Sequence, residues 1–262
     1  MATATMTAAD PVITITGVSK RYDKALVVDG VETAIPYGGL TSIIGANGAG
    51  KSTLLSIVAR LLGCDTGSVT VAGLDVHATP DEVLARTLAI LRQNNTIDIR
   101  LTVRDLVAFG RFPHCKGRLT LDDADRVEQA LAYLDMTELG DRHLDELSGG
   151  QRQRAFLAMV LCQDTEVVLL DEPLAGLDLK HMREIMVRLR RAADELGKTI
   201  VLVLHDINVA AKYCDHILAM RDGRLHAVGR PAEVITTEML EQLFGITVPV
   251  IDVEGRPLAL YY

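Results

Sequence analysis

The chain has 262 residues, 48% of them hydrophobic, and a formal net charge of -8 from 27 Lys and Arg against 35 Asp and Glu. That length suits one large domain with a real core, and the acidic balance disfavours a broad nucleic-acid surface, which needs a basic face. No apolar run reaches the length of a membrane span, and the opening MATATMTAAD lacks the basic start and apolar centre of a secretory signal. Residues 1–10 read as a loose tail of a cytosolic protein. Cys64, Cys115, Cys162 and Cys214 lie far apart with no C-x-x-C pair, so reduced structural thiols are expected rather than a zinc site or a disulfide framework.

Along the chain, short runs rich in Val and Ile recur between helical patterns: VITITGV, LTSII, SVTVAG, LAIL, VVLLDE, TIVLVLHD and HILAM. Continuous apolar runs read as buried strands, and intervening helices imply crossovers in a parallel sheet, so the fold class is α/β. After LTSII comes GANGAGKST, which fits the phosphate-loop pattern G-x-x-x-x-G-K-[ST]. Here Gly45, Ala46, Asn47, Gly48, Ala49 and Gly50 would turn backbone N–H groups toward phosphates, with Lys51 adding a point charge. Ser52 would place its hydroxyl on Mg²⁺ and Thr53 would donate to a phosphate oxygen at the start of the helix STLLSIVARLL. Tyr22 precedes this loop at a distance that suits a ring lying against adenine, a stack worth about 0.5–1.5 kcal/mol. Gln93, after LAILR, has an amide that would reach Mg²⁺ or an attacking water.

Residues 102–163 are mainly helical, with Thr102 and Ser148 as candidate N-caps, and read as a helical subdomain inserted into the sheet domain, spanning about residues 94–165. Within it LSGGQ puts a serine and two glycines before a helix, which is a second anion site. Then VVLLDE ends a strand in two carboxylates: Asp171 would hold the metal through its hydration shell, and Glu172 would polarise a water toward the γ-phosphate, set by geometry more than by a shifted pKa. A helix over 179–196 should end at Gly197, and the next strand brings His205 to the same sheet edge. VPVIDVEGRPLALYY reads as a closing hairpin that turns at Glu254 and Gly255.

With GANGAGKST, LSGGQ, VVLLDE and His205 in this order, the chain resembles the ATP-binding cassette ATPases along nearly its whole length. The resemblance implies one ATPase domain over 1–262: a mainly parallel core sheet, an N-terminal antiparallel β portion and the inserted helical subdomain. It implies ATP and Mg²⁺ as ligands and a head-to-tail dimer, in which Ser148, Gly149, Gly150 and Gln151 of one copy close over ATP on the phosphate loop of the other. Asp178 of the loop AGLD would cross that interface beside Glu172, and His205 would be the switch histidine at the γ-phosphate. LRQNNTIDIRLTVRDLVAFGRFPHCKGR and HDINVAAKYCDHILAMRDG look like the branch that serves bacterial iron-siderophore importers, including carriers of petrobactin-type catecholates. That branch implies a permease partner docked along residues 94–118, an external siderophore-binding protein acting indirectly, no nucleic-acid partner, and a place at the cytoplasmic face of the membrane. Haem or cobalamin chelates are alternative cargoes. A DNA-maintenance ATPase of this signature type would need a coiled coil between phosphate loop and signature, and a twin-cassette translation factor would need a second phosphate loop; the sequence has neither.

Overall fold

The computed structural model describes residues 11–95, 97 and 99–261; the expected loose tail over residues 1–10 lies outside the described residues. In chain order the elements are β1 (Pro11–Tyr22), β2 (Ala25–Pro36), β3 (Gly39–Ile44), α1 (Lys51–Val58), β4 (Thr66–Val71), β5 (Leu74–Asp75), α2 (Asp81–Thr87) and β6 (Leu88–Leu91). Then come α3 (Val103–Phe109), α4 (Phe112–Cys115), α5 (Leu121–Tyr133), α6 (Gly149–Cys162), β7 (Val167–Asp171), α7 (Leu179–Leu196) and β8 (Thr199–Val203). The chain closes with α8 (Ile207–Tyr213), β9 (His216–Arg221), β10 (Arg224–Gly229), α9 (Pro231–Val234), α10 (Thr237–Phe244), β11 (Val250–Val253) and β12 (Arg256–Ala259).

The central sheet has the order β10-β9-β3-β8-β7-β6, parallel except for the edge strand β10. Its middle strands are apolar on both faces because both faces are covered. Val168 and Leu170 of β7 join the cluster built with α6, α7 and α8, while Val167 and Leu169 join the cluster of α1 with β1, β2 and β4. That second layer corrects the uniform parallel reading of the apolar runs. VITITGV and SVTVAG belong to a separate antiparallel sheet of order β2-β1-β4-β5, as the family resemblance implied. Besides the closing hairpin, β2, β5 and β10 lie outside those apolar runs. Acidic residues interrupt β2, and β10 is an edge strand whose residues alternate between exposed and half-buried.

Other expectations hold closely. Thr102 and Ser148 each cap a helix, accepting from the N–H groups of Asp105 and Gln151 in reciprocal capping boxes. Gly197 ends α7 in a left-handed conformation, and β11 and β12 form the closing hairpin around Glu254 and Gly255, both with positive φ. The helix after the phosphate loop is shorter than expected, stopping at Val58. The packing of α3, α5 and α6 depends on a buried ion pair: Arg111 donates to Asp123 at 2.9 Å and to the Cys162 carbonyl at 3.0 Å.

Candidate active site

Strand register gathers the chemistry. Ile43 of β3 and Asp171 of β7 both pair with Val203 of β8, so three parallel strands end level, and Leu91 of β6 pairs with Leu170 one step back. The segments leaving these ends carry Gly45 to Thr53, Gln93, Glu172 and His205, the strand-end placement at which open α/β sheets bind ligands.

The first segment wraps an open cavity of about 500 Å³, lined by Asn47, Gly48, Ala49, Gly50, Lys51, Ser52, Thr53, Gln93, Glu172, His205 and Val27. The backbone demands glycine at two points. A Cβ on Gly45 would lie 2.1 Å from the Met220 carbonyl oxygen, and one on Gly50, at φ 93°, would lie 2.5 Å from that of Val27. Lys51 is buried, and its ammonium donates to the carbonyls of Gly45 and Ala46 at 2.9 Å each. Burial pushes its pKa below the usual lysine value, while Glu172 and Asp171 pull it back up. The Ser52 hydroxyl donates to Asp171 at 2.7 Å. Burial pushes the Asp171 carboxyl up, opposed by that hydrogen bond.

Glu172 sits one residue beyond β7 at φ 50°, a left-handed conformation that costs a non-glycine residue about 1–2 kcal/mol. Both of its carboxylate oxygens are engaged: Gln93 Nε2 donates to Oε2 at 2.6 Å, and His205 Nε2 lies 2.7 Å from Oε1. A histidine donating from Nε2 is in the tautomer that leaves Nδ1 as acceptor, or is protonated. Glu172 is 15% exposed against 47% for His205, so the carboxylate is held from the protein side with the imidazole as its outer wall.

The remaining expected residues fall elsewhere. Tyr22 ends β1, is 48% exposed and does not line the cavity; Val27, which sequence reasoning missed, does. Only its position on the hairpin beside the phosphate loop could have pointed to Val27. Ser148, Gly149, Gly150 and Gln151 form the N-terminus of α6 outside the cavity, and Ser148 and Gly149 are exposed. Asp178 caps α7, accepting from the His181 N–H at 2.9 Å.

Residues 28–175 match the family described as ABC transporter, a stretch that contains the phosphate loop, Gln93, the LSGGQ segment and Glu172. The chain belongs to the ABC transporter family. This ABC cassette is 47% identical over 250 residues to the petrobactin import ATP-binding protein YclP of Bacillus subtilis, covering 95% of this chain and 99% of that one. It is 50% identical over 249 residues to the petrobactin import ATP-binding protein FatE of Bacillus anthracis, covering 95% of this chain and 100% of that one. Among solved structures it is similar to a dimeric post-hydrolysis state of an ATP-binding cassette, MJ0796, bound to ADP and Pi. The TM-score is 0.74 at 28% identity, covering 83% of this chain and 98% of that one. The cassette is therefore an ATP-binding ATPase of the P-loop type. No described helix is long and apolar enough to cross a membrane.

Proposed function

We propose that this cassette is the ATP-hydrolysing subunit of a bacterial importer of iron-siderophore complexes, of the petrobactin class that its relatives serve, working as a head-to-tail dimer beneath a membrane permease. The observation that carries this reading is the split of the two anion sites. Lys51 and Glu172 share one cavity, whereas Ser148 and Gly149 are exposed outside it, free to close over triphosphate on a second copy.

ATP would enter with its phosphates against the loop from Gly45 to Thr53. Lys51 would exchange the Gly45 and Ala46 carbonyls for phosphate oxygens, a strong trade for a buried ammonium whose own partners are neutral. Ser52 and Asp171 fit a hard divalent cation, being an oxygen pair 2.7 Å apart with a carboxyl that burial leaves in want of a positive charge. Ser52, Asp171 and Gln93 would hold Mg²⁺, which when bound supplies neutralisation of phosphate charge. Glu172 accepts a proton from the attacking water, its plane fixed by Gln93 and His205. Tyr22, exposed at the end of β1, offers a ring face to the adenine.

Ser148, Gly149, Gly150 and Gln151 complete the site in trans, with Asp178 crossing beside Glu172. Nucleotide thus becomes the glue of the dimer, and hydrolysis loosens it. The helical segment over residues 94–165 carries the signature and meets the permease: Ile99, Phe109 and Phe112 stand exposed along residues 94–118, apolar surface that suits a helix from a membrane partner. Thr96 and Asp98 of that segment lie outside the described residues. Such a subunit sits peripherally on the cytoplasmic face, and its cargo is delivered to the permease by an external siderophore-binding protein. A nucleic-acid partner has no support in the acidic charge.

The trans site is tested by mixing. Ser148→Arg and Lys51→Ala chains should each be inactive alone, and mixing should restore ATP hydrolysis because each mixed dimer keeps one intact composite site. Mixtures as dead as their parents would overturn the reading. The cargo is tested by deleting the gene and supplying ferric petrobactin as sole iron source; undiminished uptake would discard the cargo assignment.

A further inference from the structure

The signature holds two glycines whose surroundings differ. Gly149 is exposed, and a Cβ added there would meet nothing within 4 Å. Gly150 is buried, and its Cβ would lie 2.7 Å from Cδ2 and 2.9 Å from Cγ of His181 in the first turn of α7. The imidazole cannot swing aside without cost. Its Nδ1 donates to Asp178 Oδ1 at 2.8 Å, and the same oxygen accepts the His181 backbone N–H at 2.9 Å as the cap of α7. A second tie lies one turn along: Gln153 Nε2 of α6 donates to the Pro173 carbonyl at 2.9 Å. The start of α6 therefore rests on the stretch that runs from Glu172 through Asp178 to His181.

We propose that His181 is a positioning residue that sets the seat of the signature helix on the Asp178 loop, and that Gly150 is glycine because the His181 ring fills the place of its side chain. Gly149, by contrast, has no such demand from its own chain. The intrachain part stands on the contacts above; its catalytic consequence rests on the head-to-tail reading. The consequence is a mechanical link inside one chain. Asp178 lies beside one site and the tip of α6 serves the other, so a shift of the Asp178 loop moves the tip through the imidazole.

The test compares Gly149→Ala, Gly150→Ala and His181→Ala with the two doubles that combine either glycine change with His181→Ala. In nucleotide-free protein, Gly150→Ala should lower Tm, although alanine is normally the better helix former, and the Gly150→Ala/His181→Ala double should return to the Tm of His181→Ala. Gly149→Ala should not lower Tm. In steady-state ATPase assays, Gly150→Ala should lower kcat about tenfold or more with KM for ATP little changed, as expected for a misplaced group. Its double should regain most of that loss, while Gly149→Ala should stay slow with or without His181. His181→Ala alone should lower kcat, and His181→Asn, which keeps a donor for Asp178, should recover part of it. A Gly150→Ala/His181→Ala double as unstable and slow as Gly150→Ala, equal rescue of both glycine variants, or wild-type kcat for His181→Ala would each overturn the proposal. Failure of the dimer reading is seen separately, as no ATP-dependent dimer of Glu172→Gln while the Tm rescue persists.

Discussion

Replacing Glu172 by glutamine preserves size and removes the carboxylate proposed above as the base. The carboxylate now accepts from Gln93 at 2.6 Å and faces His205 Nε2 at 2.7 Å, one partner per oxygen. An amide has a single acceptor oxygen, so one donor would face an NH₂ group unless Gln93 flips or the imidazole changes tautomer. The loss of a charge-assisted hydrogen bond is worth about 1.5–3 kcal/mol, reduced here because His205 is half exposed and can rebond to water. The kinetic loss is larger. A positioned general base contributes about 10²–10⁴ in rate, equivalent to about 2.7–5.4 kcal/mol of barrier at 1.36 kcal/mol per decade. ATP affinity should hardly change, because Lys51 is seated on the Gly45 and Ala46 carbonyls rather than on Glu172. Single-turnover phosphate release, titration calorimetry and size-exclusion chromatography with ATP check the three parts: slow hydrolysis, unchanged binding, and an ATP-bound dimer that persists. Hydrolysis within tenfold of the unmodified chain would remove Glu172 from the role of base.

Lys51→Ala should weaken ATP binding to the monomer by well over tenfold in titration calorimetry, since it deletes a buried cation of the phosphate loop; unchanged affinity would contradict the site. The Asp123 carboxyl is held down to about 2 by hydrogen bonds from the Thr120 N–H and hydroxyl, with Arg111 adding to them. Because the folded value lies below the unfolded one, this group contributes stability above about pH 4, and the contribution is lost as the pH falls toward about 2. Asp123→Asn should flatten that part of a urea-denaturation pH profile and cost about 3–5 kcal/mol at neutral pH, because Arg111 stays buried without its counter-charge. Cys162 and Cys214 are buried thiols pushed up to about 12 chiefly by burial, whereas Cys64 and Cys115 are partly exposed. A thiol reagent at pH 8 should therefore modify two of the four cysteines quickly in the folded protein, and the other two only on unfolding.

Sequence alone determined whatever rests on local spacing. The phosphate loop, the caps at Thr102, Ser148 and Gly197, the hairpin turn at Glu254 and Gly255, and the strand that delivers Asp171 and Glu172 are each written in a few consecutive residues whose backbone demands are specific. Tertiary structure decided what depends on residues far apart in the chain. The neighbouring ends of β6, β7 and β8 bring Gln93 and His205 onto the two oxygens of Glu172, and no local pattern encodes that meeting across 79 residues on one side. The antiparallel layer behind α1, which the family resemblance implied, could not be read from the apolar runs for a related reason: they report burial, not strand direction or partner. The two signature glycines are likewise alike as letters. Only the packing of His181 against Gly150 separates a glycine demanded from within the chain from one left open on the surface.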